Sequence, residues 1–165
     1  MKSFAFGILL LSALTGAQAQ SLKAQIASSD KTVDKLFLAK DMKGFATFMK
    51  AGVTSNFVYE EDGHSMSFDK MCQVMTMSFT RMQKVTQADS KTIDLLETGN
   101  TAVATTYHAM AAVMSGSDKK NHKLTYTGTS KDTYIKQGGK WKLSKMAWSN
   151  DKTLIDGKPL PSMSH

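Results

Sequence analysis

The sequence predicts an α+β domain in which N-terminal helices pack as a single layer on one face of a bent antiparallel sheet. Three observations carry that expectation. Apolar residues recur at three- and four-residue spacing through much of the first half of the chain. Beyond Asp89 the texture changes to runs dominated by Val, Thr, Tyr and Ile, and explicit turn sequences separate those runs. Helices followed by consecutive hairpins imply segregated layers rather than alternating strand–helix–strand units.

The first residues stand apart from that domain. Lys2 supplies a positive charge, Phe4 to Leu14 form an apolar run, and Ala17-Gln18-Ala19 is a small-x-small cleavage site, so residues 1–19 read as a secretory signal peptide. The apolar run, about 11 residues, falls short of the roughly 20 that span a bilayer. No cysteine follows it for lipid attachment. Residues 20–155 then form one domain and 156–165, with Gly157, Pro159 and Pro161, a flexible tail. The mature protein is expected to be soluble, without a membrane span, in a bacterial periplasm or secreted.

Within the domain, Leu22, Ile26, Val33, Leu36 and Phe37 mark a first amphipathic helix ending near Lys40. Asp41 is an N-cap for a second helix that carries Met42, Phe45, Phe48 and Met49 and stops at Gly52. Ser55 to Glu60 is aromatic and β-branched, hence a strand turned by Asp62-Gly63. Ser67 caps a third helix expected to run to about Val85, with Phe68, Met71, Met75, Phe79 and Met82 on one stripe. Four strands follow, at Lys91–Glu97, Ala102–Met114, Lys123–Lys136 and Lys140–Ser149. Gly99-Asn100, the polar loop Ser115 to Asn121, and Gln137-Gly138-Gly139-Lys140 join them.

Composition removes several classes of function. The net charge is +7, or +6 once Lys2 leaves with the signal, but 20 of the 21 basic residues are scattered lysines and Arg81 stands alone. Recognition of bases and phosphates favours the arginine fork, so a solvated basic surface is expected and no nucleic-acid partner. Cys72 is the single cysteine, which excludes an internal disulfide and reads as a small core residue. There is no Gly-x-Ser-x-Gly elbow and no glycine-rich phosphate loop, so neither nucleophilic catalysis nor a nucleotide cofactor is expected.

Three segments carry a family resemblance: Ala39-Lys40-Asp41 followed by Phe45 and Phe48; Phe57 to Gly63 followed by Ser67-Phe68-Asp69; and Gly138 to Leu143 running on to Met146 and Trp148. In combination, over roughly Ser28 to Ser149, the chain resembles the nuclear transport factor 2-like superfamily, which includes SnoaL-like polyketide cyclases and ketosteroid isomerase. The resemblance implies a cystatin-like cone with a pocket between sheet and helices, and frequent homodimers through the outer sheet face.

It also implies candidate chemistry. In the isomerase type a strand carboxylate abstracts a proton next to a carbonyl, while a protonated acid and a tyrosine hydroxyl hold the oxyanion. By position Glu60 falls at the strand carboxylate and Asp132 at the oxyanion acid, but Val33 falls where the tyrosine belongs and cannot donate. Solvated surface carboxylates are the competing reading of both acids. A second candidate is a cavity for a small hydrophobic or amphipathic molecule. Met71, Met75, Phe79 and Met82 would line it, with polar points from Tyr107 or His108, Tyr126 and Tyr134. Tyr107 and His108 face opposite ways, and the alternation alone does not say which points inward. Simple core packing competes here. The methionine-rich set His64, Met66, Met71, Met75, Met77, Met82, Met163 and His165 invites copper(I), but lacks a paired-histidine spacing, so no metal is expected. The leading expectation is an exported, non-catalytic ligand-binding or accessory envelope module. A cofactor-independent isomerase, cyclase or dehydratase, and a protein-interaction module using the outer sheet face, stand as alternatives.

Overall fold

The computed structural model describes residues 21–159. The expected signal peptide, and the end of the tail with Met163 and His165, lie outside the described residues. Helix α1 (Leu22–Leu38) begins where the Ser21 hydroxyl accepts the Ala24 N–H, and α2 (Met42–Gly52) begins where the Asp41 carboxylate accepts the Gly44 N–H. Strand β1 (Val53–Glu61) turns through Asp62 and Gly63, both at positive φ, into the short β2 (His64–Ser67). Ser67 caps α3 (Phe68–Thr80), accepting the Lys70 N–H. The long strands β3 (Met82–Thr98), β4 (Thr101–Ser115), β5 (Asn121–Gln137) and β6 (Lys140–Ile155) follow as a meander.

The sheet order is β2-β1-β6-β5-β4-β3, antiparallel throughout except where β1 runs parallel to β6. Of the expected flexible tail, Asp156 and Gly157 form a turn at positive φ, and β7 (Lys158–Pro159) pairs back onto β6. Three helices on one face of this curved sheet make the α+β cone that the sequence predicts.

Two expectations need correction. The third helix ends at Thr80, not near Val85, and Met82 opens a strand that begins well before Lys91. The cause is visible in the β3–β4 register, where Gln83, Thr86 and Ile93 have no partner and act as bulges. Each bulge inserts one residue and bends the strand. Met82, Val85 and Ala88 are therefore all buried at three-residue spacing, which imitates a helix in the sequence. The same bulges curl β3 over the helices and close one side of the cone.

The core sits between the helices and the concave face in three clusters. Phe45, Val53, Phe57, Tyr59, Met71 and Leu143 form one, with Cys72 partly buried against it. Phe79, Met82, Val85, Ala88 and Ala112 form a second, and Leu22, Ile26, Ala102 and Ala104 a third. No helix among the described residues is long and apolar enough to cross a membrane.

Candidate functional site

Strand alternation decides what faces the helices. On β4 the buried side carries Ala102, Ala104, Thr106 and Ala112, and His108 belongs to that side. On β5 the same role falls to Tyr126, Gly128, Ser130, Asp132 and Tyr134, all two residues apart. Between these strands and the helices lies a cavity of about 1080 Å³. Its apolar wall includes Val33 and Phe37 from α1, Phe45 from α2, and Met71, Met75 and Phe79 from α3. Met82 lines it too, from β3 instead of the expected helix.

A chain of polar side chains crosses the sheet side of this cavity. Ser90 donates its hydroxyl to Asp34 Oδ1 (2.8 Å) and its N–H to Asp34 Oδ2 (3.1 Å). His108 Nδ1 lies 3.1 Å from Ser90 Oγ and Nε2 lies 2.9 Å from Ser130 Oγ. With Asp34 ionised, the Ser90 proton is committed to it, so His108 Nδ1 must carry a proton and donate. Neutral His108 then accepts at Nε2 from Ser130. Burial holds it neutral, lowering its pKa to about 4.

Asp132 stands two residues along from Ser130 and is only 4 % exposed. Burial, with Asp30 adding like charge, raises its pKa to about 7; Thr106 pulls the other way, and Ser130 does so only when its single proton turns from His108 to Asp132. Its Oδ1 has no hydrogen-bond partner. Asp30, on α1, is itself raised to about 6, by burial first and by Asp34 second, with Thr92 easing the shift. Asp34 is raised by burial, less strongly because Ser90 donates to it. Burial and the two acids Asp132 and Asp30 hold the Tyr134 hydroxyl well above its ordinary range.

A second polar group belongs to β1. Tyr59 donates to Glu61 Oε2 at 3.0 Å, and both line the cavity. Trp148 packs on His108 with ring centroids 4.6 Å apart, and its buried Nε1–H has no partner. Gly128 permits this approach, since a Cβ there would sit 3.1 Å from the Trp148 ring. None of Asp30, Asp34, Ser90, Ser130, Tyr59, Glu61 or Trp148 stands out as a site residue in the sequence. The signal for most of them is strand facing, which is unreadable until the register is known.

Two sequence candidates fall outside the cavity. Glu60 points away from it and pairs with Lys145 Nζ at 2.8 Å, with its side chain 36 % exposed. The physical reason is alternation: Tyr59 and Glu61 take the inward positions on β1, so Glu60 cannot. Tyr107 is 42 % exposed on the outer face, which settles the Tyr107–His108 pair in favour of His108. The structure thus brings together Asp132, His108, Tyr126, Tyr134, Met71, Met75, Phe79 and Met82, and leaves out Glu60 and Tyr107. Among the methionine-rich set, Met77 is 61 % exposed and His64 is exposed. No three His, Cys, Asp or Glu side chains among the described residues gather as metal ligands.

No family model and no curated protein matches this sequence. Solved structures do match. A protein from Kribbella flavida superposes with a TM-score of 0.62 at 9% identity, over 77% of this chain and 88% of its own. A provisionally assigned scytalone dehydratase from Novosphingobium aromaticivorans gives 0.59 at 11% identity, over 85% of this chain and 92% of its own. A provisionally assigned dehydratase of the nuclear transport factor 2-like family from Streptomyces avermitilis gives 0.53 at 11% identity, over 84% and 96%. At such identities the likeness is one of fold, and the fold is the nuclear transport factor 2-like cone.

Proposed function

We propose that this nuclear transport factor 2-like cone is an exported module that holds a small amphipathic molecule between its sheet and helices. The observation that carries the reading is the cavity of about 1080 Å³, walled by methionine and aromatic side chains with a few polar points from the sheet. That is well above the roughly 300 Å³ at which ligand pockets begin. Export is supported by residues 1–19 alone, and N-terminal sequencing of protein recovered from an exporting host tests it. The binding reading is tested with Nile red, a neutral apolar dye. Saturable one-to-one binding is expected, weakened at least tenfold by Val33→Trp, which pushes an indole ring into the cavity from α1. A native protein that gives no saturable signal and keeps its bare mass in native mass spectrometry would end this reading.

A second reading is favoured by one specific feature, the Asp34–Ser90–His108–Ser130 chain that ends beside Asp132. Buried groups with displaced pKa values in a cavity suit acid–base work, and two fold neighbours carry dehydratase names. In this reading the protein is a cofactor-independent dehydratase, isomerase or cyclase that uses Asp132 and His108, with Glu60 taking no part. Deuterium exchange next to the carbonyl of bound 2-decanone, suppressed by His108→Gln, is its expected sign. Binding without exchange leaves the carrier role alone. A homodimer through the outer sheet face is supported by Leu96, Val103 and Tyr107, all exposed there.

A further inference from the structure

The cavity is charged against the rest of the molecule. Five carboxylates line it, Asp30, Asp34, Glu61, Asp89 and Asp132, against one basic side chain, Arg81, which is exposed. The whole chain nevertheless carries +7. Around Asp132, where the wall is most buried, no lysine or arginine lines the cavity at all. His108 does not substitute for one, because both ring nitrogens are engaged by serine hydroxyls. An entering carboxylate would therefore lose its water and meet like charge from Asp30, Asp34 and Asp132, with no cation to pair with it.

Two buried atoms of the lining lack a partner, and they are of opposite kinds. Asp132 Oδ1 is an acceptor, and Trp148 Nε1–H is a donor. Leaving either unpaired away from water costs free energy, which a ligand head recovers once a small side-chain shift opens the atom to the cavity. A hydroxyl head both donates and accepts, so it serves at either point. With Asp132 ionised, as it mostly is at pH 7.5, a carboxylate serves only the tryptophan.

We infer that the cavity takes amphipaths whose buried head is an uncharged hydroxyl, an alcohol or phenol, and turns away the corresponding carboxylates. This rests on the binding reading above and names the ligand class for it. The test displaces bound Nile red at pH 7.5 with 1-decanol and with decanoate, which share a chain length and differ in the head. Decanol is expected to displace the dye at a concentration at least tenfold lower than decanoate. In Asp132→Asn, which removes one negative charge and adds an amide donor, the preference for decanol over decanoate is expected to shrink at least fivefold. Far-ultraviolet circular dichroism and a cooperative urea transition show that the variant is folded. Equal displacement by both heads, or an Asp132→Asn variant that leaves the ratio unchanged, overturns the inference while the cavity reading stands. Absence of any Nile red binding overturns the cavity reading itself.

Discussion

At the scale of single residues, Asp132 makes the sharpest claim. Its carboxyl titrates near the usual 3.8 in the unfolded chain and at about 7 in the folded one. Between those values the folded chain holds a proton that the unfolded chain has released. Stability therefore falls as pH rises through this window and levels off above it. Asp30, raised to about 6, acts with the same sign over the lower part. His108, lowered to about 4, acts oppositely between there and its ordinary 6.5, where the unfolded chain takes up a proton. These contributions overlap near pH 6.5, so the share of Asp132, which leads above about pH 7, is read as the part of the profile that its substitution removes. Asp132→Asn is expected to flatten that fall and to raise stability at pH 8 by on the order of a few kcal/mol. Urea unfolding at pH 6 and pH 8 reads both effects, and an unchanged pH profile would show that Asp132 is already ionised. The sequence points to Asp132 through the family resemblance, but it points equally to Glu60, one position from the inward-facing Glu61. A side-chain period of two makes that single step the difference between a cavity wall and a surface ion pair. Nothing in a run of Glu-Glu-Asp says which member faces in.

At the scale of elements, both helix N-caps at Asp41 and Ser67, the four hairpin strands and their turns are legible, because each rests on local chemistry. The boundary between α3 and β3 is not legible, because bulges give β3 a period of three over Met82, Val85 and Ala88. That makes the bulges testable. Deleting Thr86 restores a period of two and turns the Met82 side of the strand over. Loss of Nile red binding and of a cooperative thermal transition is expected, whereas deleting Ser117 from the β4–β5 loop should leave both intact. On α3, Met71 is 2 % exposed at the centre of the first core cluster, and Met71→Ala is expected to cost about 2–4 kcal/mol in urea unfolding. Another tie joins the β4–β5 loop to the turn before β7. His122 sits between Asp118 (3.0 Å) and Asp156 (2.7 Å), and both acids raise its pKa. The charged clasp is complete above the lowered pKa values of the two carboxyls and is lost as pH rises through the raised value of His122. An NMR titration of His122 in wild type and in Asp156→Asn should show the midpoint drop in the variant.

At the scale of the whole molecule, the outer face of the sheet offers Leu96 and Val103 side by side, since they are register partners, with Tyr107 further along β4. If this face joins two copies, Val103→Lys should convert a dimer to a monomer in sedimentation velocity without changing Nile red affinity. A wild-type protein that sediments as a monomer at high concentration removes the dimer. The layered α+β arrangement is legible from the order of elements and the cone through the family resemblance, whereas the acidic lining is not legible, because the scattered lysines dominate the overall charge. One connection governs how the cone can be built. Strand β1 has β2 on one side and β6 on the other, and its first β6 partner, pairing Val53 with Leu143, comes from the last long strand. A chain emerging from the ribosome can zip β3, β4 and β5 together as neighbours and lay α1 against β3 and β4, but β1 has no long strand to pair with until β6 exists. Closure of the β2-β1 edge is thereby left to the last long strand to be made.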